Sequence, residues 1–162
     1  MKRSQLYYWI LLSILFVASN PVGSQELKYE FLFEAEALLD TPIIVGTSPV
    51  GTRIIYPVKG GTIQGPDLRG KILPGGADWM LKLDSVTYKL DIRAAMETDE
   101  GEIIYTYYSG YIYMNPDKTY YFRTNPMFET GSVKYGWLNH TIAVGVGRLT
   151  QGGVAYRVYV IR

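Results

Sequence analysis

Leu27, Tyr29, Phe31, Phe33, Ala35, Ala37 and Leu39 alternate along the chain with Lys28, Glu30, Glu34 and Glu36. A period of two, with one apolar and one largely charged face, predicts an amphipathic strand or a strand running into a bend. Residues 52–58, 77–83, 86–98, 102–114, 120–125, 141–146 and 154–161 are further segments rich in β-branched and aromatic side chains. No stretch carries the 3.6-residue period of an amphipathic helix. Between the segments lie Gly60-Gly61, Gly65-Pro66, Pro74-Gly75-Gly76, Asn115-Pro116-Asp117 and Gln151-Gly152-Gly153, combinations that fix turns. No connection has the length of a crossover helix, so the expectation is a single antiparallel all-β domain over residues 25–162. Closing it into a complete or nearly complete β-barrel would remove the edges that a long meander otherwise exposes.

One hairpin can be registered in advance. Asp99-Glu100-Gly101 fits a three-residue loop with glycine in the left-handed position, which pairs Thr98 with Glu102. Asp91, Arg93 and Ala95 then lie opposite Ser109, Tyr107 and Tyr105. On the other face Leu90, Ile92, Ala94 and Met96 lie opposite Gly110, Tyr108, Thr106 and Ile104. One face is polar and tyrosine-rich, the other mostly apolar. Alternation does not say which face is inward. If the apolar face is inward, Asp91 and Arg93 are a solvated pair; if the polar face is inward, tyrosines and a carboxylate–guanidinium pair line a lumen able to grip a small ligand.

The amino end reads differently. Lys2 and Arg3 precede an apolar run over residues 6–18, and Asn20-Pro21 then breaks any helix before Gly23 and Ser24. This is the layout of a secretory signal peptide over residues 1–24, and the run is short of the roughly 18 apolar residues a membrane-spanning helix needs. The expectation is an exported protein, periplasmic or secreted, beginning at Gln25, with no stable membrane anchor. Without Lys2 and Arg3 the charged side chains are 14 basic and 15 acidic. That balance offers no footprint for nucleic acid. The absence of cysteine excludes disulfides, thiolate metal sites and a cysteine nucleophile, and a single histidine excludes a multi-histidine zinc site. No metal and no cofactor are expected.

The run Gly60-Gly61-Thr62-Ile63-Gln64-Gly65-Pro66, followed by Leu68-Arg69-Gly70-Lys71-Ile72-Leu73-Pro74-Gly75-Gly76-Ala77-Asp78-Trp79, lacks the Lys-Ser/Thr of a phosphate loop and the spacing of a dinucleotide fingerprint. It resembles the family known as domain of unknown function 3237, or uncharacterised protein family 0311. Leu90-Asp91-Ile92-Arg93, Thr98-Asp99-Glu100-Gly101, the block Tyr121-Phe122-Arg123-Thr124-Asn125-Pro126-Met127-Phe128-Glu129-Thr130 and Tyr135-Gly136-Trp137-Leu138-Asn139 resemble its other blocks in the same order, so the resemblance spans residues 51–162. It implies a compact antiparallel β-barrel of the calycin or allene-oxide-cyclase kind, as a homodimer, and supplies no reaction. His140 stands where relatives often have arginine, and the stretch between Gly110 and Tyr120 is shorter than in many of them.

Candidate chemistry follows from these residues. Asp78 beside Trp79 follows a Pro-Gly-Gly turn, where a carboxylate held against an indole can gain a raised pKa and act as general acid or base; capping the turn is its simpler role. Asp91 is the other candidate for moving a proton, with Arg93 steadying the developing oxyanion, and the two together could polarise a carbonyl or hold a carboxylate. Arg123 and Glu129 flank the Asn125-Pro126 turn, and Trp137 and Asn139 offer a stacking wall and an amide. With Tyr105 and Tyr107 these form the candidate ligand-binding set. His140 has no nucleophile partner and stays outside it. Asn139-His140-Thr141 is also a glycosylation sequon. The expected function is binding of a small, partly apolar carbonyl or carboxylate compound, with isomerase, lyase or cyclase chemistry, a non-catalytic carrier and a ligand-free structural protein as the three readings.

Overall fold

Strand-forming residues in alternating patterns give eleven β-strands in the computed structural model, which describes residues 26–162; the expected signal peptide lies outside the described residues. The strands are β1 (Tyr29–Leu39), β2 (Ile43–Ser48), β3 (Gly51–Gln64), β4 (Arg69–Ile72), β5 (Ala77–Lys82), β6 (Thr87–Thr98), β7 (Ile103–Met114), β8 (Tyr120–Thr124), β9 (Met127–Glu129), β10 (Ala143–Thr150) and β11 (Gly153–Ile161). A 3-10 turn over Gly136–His140 interrupts the last third, and no α-helix occurs among the described residues.

Every pairing is antiparallel, and the strands form one sheet. Following hydrogen-bonded neighbours from β6 through β5, β3, β1, β11, β10, β8 and β7 leads back to β6, so the pairings make a ring. The remaining strands extend interrupted walls. The long β3 pairs with β5 through its first half and with β4 through its second, and β7 pairs with β8 and β9 in the same manner. Between β8 and β10 only two residue pairs are made, Gly145 with Thr124 and Val146 with Arg123.

The β6–β7 hairpin adopts the register read from its turn: Asp91 faces Ser109, Arg93 faces Tyr107 and Ala95 faces Tyr105. Gly101 has φ +83°, and its amide donates to the Thr98 carbonyl at 2.9 Å. The apolar face is the inward one. Leu90, Ile92, Met96, Ile104 and Ile112 are buried, together with Phe33, Ile63, Phe122, Phe128 and Val158 from the other walls. Removing each such side chain from water contributes about 1.5–3 kcal/mol, which is why the outer, tyrosine-rich face is left to solvent.

Three expectations need correction. Gly60 and Gly61 do not form a turn but lie inside β3, where the strand changes neighbours. A Cβ on Gly61 would stand 2.0 Å from the Glu36 carbonyl oxygen, so glycine here permits close approach to β1. In β1 a bulge between Phe31 and Phe33 breaks the even alternation. Leu32 and Phe33 are both buried as a result, while Phe31 packs edge-on to Tyr159, beneath the Arg157 guanidinium. Finally, β2, β4 and β9 were not anticipated, because their sequences IIVGTS, RGKI and MFE are too short or too glycine-broken to show a period.

Candidate functional site

Inward-facing residues do not fill the ring evenly. Near the β10–β11 turn a cavity of about 420 Å³ opens between Leu39, Val58, Met80, Ile112, Phe122 and Leu149, with polar atoms from Asp40, Thr41, Tyr56, Asp78, Tyr108 and Tyr156. Beyond Tyr108 and Tyr156 the interior narrows to about 50 Å³ against Phe33, Met96, Thr106 and Phe128. Among the described residues, none lining the larger cavity is Lys, Arg or His. Asp40 stands exposed, 3.6 Å from Lys59, and its pKa is lowered first by the Thr41 amide and then by Lys59. Asp78 is the carboxyl of the inner wall.

The sheet register places Asp78. It pairs with Tyr56 on β3 and with Ile92 on β6, and Ile92 pairs in turn with Tyr108 on β7. Tyr56, Asp78, Ile92 and Tyr108 therefore form one row across four adjacent strands, spanning roughly 14 Å at the usual interstrand spacing. Tyr156 joins this group from β11, its ring edge-on to Tyr108 with centroids 5.7 Å apart and to Phe122 at 5.1 Å.

The β5–β6 ladder lapses just after Asp78, over Trp79 and Met80. The Asp91 backbone amide donates to Asp78 Oδ1 at 3.1 Å, and the Trp79 carbonyl accepts from Arg53 Nη1. Burial is the main cause pushing the Asp78 carboxyl up to about 6 from 3.8; the Asp91 amide opposes it, the Asp91 charge adds to it and Arg53 draws it back. Burial also raises Tyr108 and Tyr156 above the ordinary phenol value, with the Asp78 charge contributing to both. The site thus holds a carboxyl poised between its two states near neutral pH and two phenols that keep their protons.

The other candidates lie elsewhere. Asp91 and Arg93 form an exposed ion pair at 2.9 Å on the outer face, and Arg93 also lies 5.5 Å from the centroid of the Trp79 ring. Tyr105 and Tyr107 stack on each other on that face at 5.8 Å. Beside them, Ser109 donates from both its amide and its hydroxyl to Asn125 Oδ1. Arg123 lies over Tyr121 at 5.0 Å and donates to the Phe122 carbonyl. Glu129 is exposed at the end of β9, well separated in the sheet from Asp78. Trp137 packs under Arg162, and Asn139 clasps Thr130 by accepting from its amide at 2.8 Å and donating to its carbonyl at 3.0 Å.

Trp79, Asp91, Arg93, Tyr105 and Tyr107 are thus gathered outside, and only Asp78 of the expected set reaches the interior cavity. The sequence reading passed over Tyr56, Tyr108 and Tyr156. Tyr108 stood in plain view on the apolar face of the registered hairpin, where an inward tyrosine is the signal for a polar atom in a core. Among the described residues, no three His, Cys, Asp or Glu side chains converge as metal ligands.

Fold and cavity define a class: an all-antiparallel β protein whose strand ring carries a largely apolar, half-open cavity with a half-buried carboxyl on its wall. Within that class, the chain belongs to the family described as protein of unknown function (DUF3237), whose profile matches residues 27–161. A UPF0311 protein of Clostridium acetobutylicum is 34% identical over 143 residues, covering 78% of this chain and 90% of that one. The crystal structure of a β-barrel-like protein from Acinetobacter baumannii superposes with a TM-score of 0.82 at 34% identity, covering 85% of this chain and 97% of that chain. A hydroalkoxylation enzyme of Penicillium herquei, phnH, is 28% identical over 138 residues, 83% of this chain and 85% of that one.

Proposed function

We propose that this chain is a closed β-barrel enzyme, working without a cofactor, that moves a proton on a small, partly apolar carbonyl compound inside its cavity. The observation that carries this is Asp78, a carboxyl on an apolar wall whose pKa of about 6 suits both giving and taking a proton near neutrality. Its surroundings favour the carbonyl over the carboxylate, since no cation lines the cavity to receive an anion.

Isomerase, lyase and cyclase reactions that move a proton can all use such a group. Addition of an alcohol O–H across a carbon–carbon double bond, the chemistry named for the Penicillium relative, is supported most directly. In that reaction a C–O bond forms, the C=C π bond is consumed, and the hydroxyl proton ends on carbon. One carboxyl suffices, taking the proton from oxygen and returning it to carbon, with no change of oxidation state. We further propose export through residues 1–24 and assembly as a homodimer.

Turnover of neutral unsaturated alcohols in D2O tests the reading. The wild-type protein is expected to place one deuterium on carbon for each C–O bond formed, and Asp78→Asn to place none. Compounds retained in the cavity without deuterium uptake would instead make the chain a carrier.

A further inference from the structure

The cavity presents two kinds of polar partner. Asp78 accepts, and Tyr108 and Tyr156 donate. No Lys, Arg or His lines the cavity beside them; Arg53 acts on Asp78 from outside the lining. A ligand that satisfies both has a hydroxyl for the carboxylate and an acceptor oxygen for the phenols, and is otherwise apolar and uncharged. We propose that Tyr108 and Tyr156 together hold the carbonyl oxygen of a neutral, conjugated hydroxy-enone, placing its double bond over Asp78.

The register supports this arrangement. Asp78 and Tyr108 lie two strands apart in one inward row with only Ile92 between them, roughly 10 Å at the backbone. That gap accommodates an enone lying across Ile92, its carbonyl at the phenols and its far end at the carboxyl. Tyr156 approaches Tyr108 edge-on from the opposite wall, and the two hydroxyls hydrogen-bond each other, a bond that an entering carbonyl oxygen would replace. Below them the interior closes to about 50 Å³, which makes the pair the floor against which a ligand stops.

The step balances. Asp78 takes the alcohol proton as its oxygen bonds to the β carbon, and the π electrons move onto the carbonyl oxygen as an enolate. Tyr108 and Tyr156 stabilise that oxyanion from an apolar surrounding, where such donors are most effective. The α carbon then recovers the proton from Asp78, and the ketone re-forms. The inference rests on the Asp78 reading for its proton transfer, and on the two tyrosines for its substrate class.

The probe is a phenyl ketone conjugated to a C=C whose chain ends, three carbons on, in a primary alcohol, with its para-carboxyphenyl analogue as control. The infrared carbonyl stretch of the bound probe, carbon-13 labelled, reports the hydrogen bonds directly. In the wild-type protein the stretch is expected at lower frequency than in hexane. Tyr108→Phe and Tyr156→Phe, each checked for folding by thermal melting, should lose most of that shift and lower ring closure at least tenfold. The carboxylate analogue should bind at least tenfold more weakly. An unchanged stretch in both variants, equal affinity for the analogue, or failure of the probe to bind would overturn the proposal. Tyr108→Phe alone decides the matter where Tyr156→Phe does not fold. Asp78→Asn separates the two claims: if it abolishes ring closure but keeps the shift, both stand. If ring closure survives, the Asp78 reading fails while the carbonyl site is judged by the tyrosine variants.

Discussion

Asp78 and Asp91 share one hydrogen bond through the sheet, the Asp91 amide to Asp78 Oδ1 at 3.1 Å, yet their side chains occupy opposite faces. Asp91 pairs with Arg93 in solvent, whereas Asp78 stands on the cavity wall with its pKa raised to about 6. Period-two geometry gives two similar carboxylates different surroundings, one a solvated ion pair and one on the cavity wall.

The raised pKa carries a stability signature. A folded-state value near 6 against 3.8 in the unfolded chain favours folding fully below pH 3.8, an advantage lost as pH rises through about 6. Charged Asp78 therefore costs up to about 3 kcal/mol above pH 7. Urea unfolding should show Asp78→Asn more stable than wild type at pH 8 by about 2–3 kcal/mol, with little difference at pH 4. Parallel curves at the two pH values would contradict the assignment.

Asp91 acts on Asp78 by its charge and by its amide, and only the charge depends on the side chain. Asp91→Asn should move the acid limb of the pH–rate profile downward by a few tenths of a pH unit and leave the maximal rate within about threefold of wild type. Loss of the exposed pair with Arg93 should cost less than about 1 kcal/mol in denaturant unfolding.

A side chain at Gly145, in the two-pair seam between β8 and β10, or at Gly147 just beyond it would collide with β8. A Cβ on Gly145 would lie 2.2 Å from Thr124 Oγ1, and one on Gly147 would lie 2.6 Å from the Phe122 ring. Gly147→Ala is expected to lower stability by about 1–3 kcal/mol, measured by chemical denaturation, and Gly145→Val to exceed it.

Asn139 is expected to matter for the loop and not for chemistry. Its amide satisfies both backbone groups of Thr130, so Asn139→Ala should cost about 1–2 kcal/mol. The rate with the hydroxy-enone probe should stay unchanged per folded molecule, as read by active-site titration against thermal melting.

Much of the sheet was legible because strand period and turn chemistry are local. The loop Asp99-Glu100-Gly101 alone placed every residue of β6 opposite its partner on β7. The inward face was not legible, since alternation is symmetric until another wall arrives to bury one side. For that reason Asp91, Arg93, Tyr105 and Tyr107 stood as site candidates while Tyr108, two strands from Asp78, passed as core. Tyr156 could not have been joined to them from sequence, because its place depends on β11 pairing with β1 at the other end of the chain. Asp78 was readable from its Pro-Gly-Gly turn. Its interior position depends on the ring.

The β1–β11 ladder, with Tyr29 beside Ile161, also sets the order in which the molecule can exist. Loop closure between distant strands comes late and slowly. A chain lacking its last strand has no wall between β1 and β10, no Tyr156 beside Tyr108 and no closed ring around Asp78. The cavity, and with it the proposed binding and proton transfer, would therefore be complete only with the final nine-residue strand.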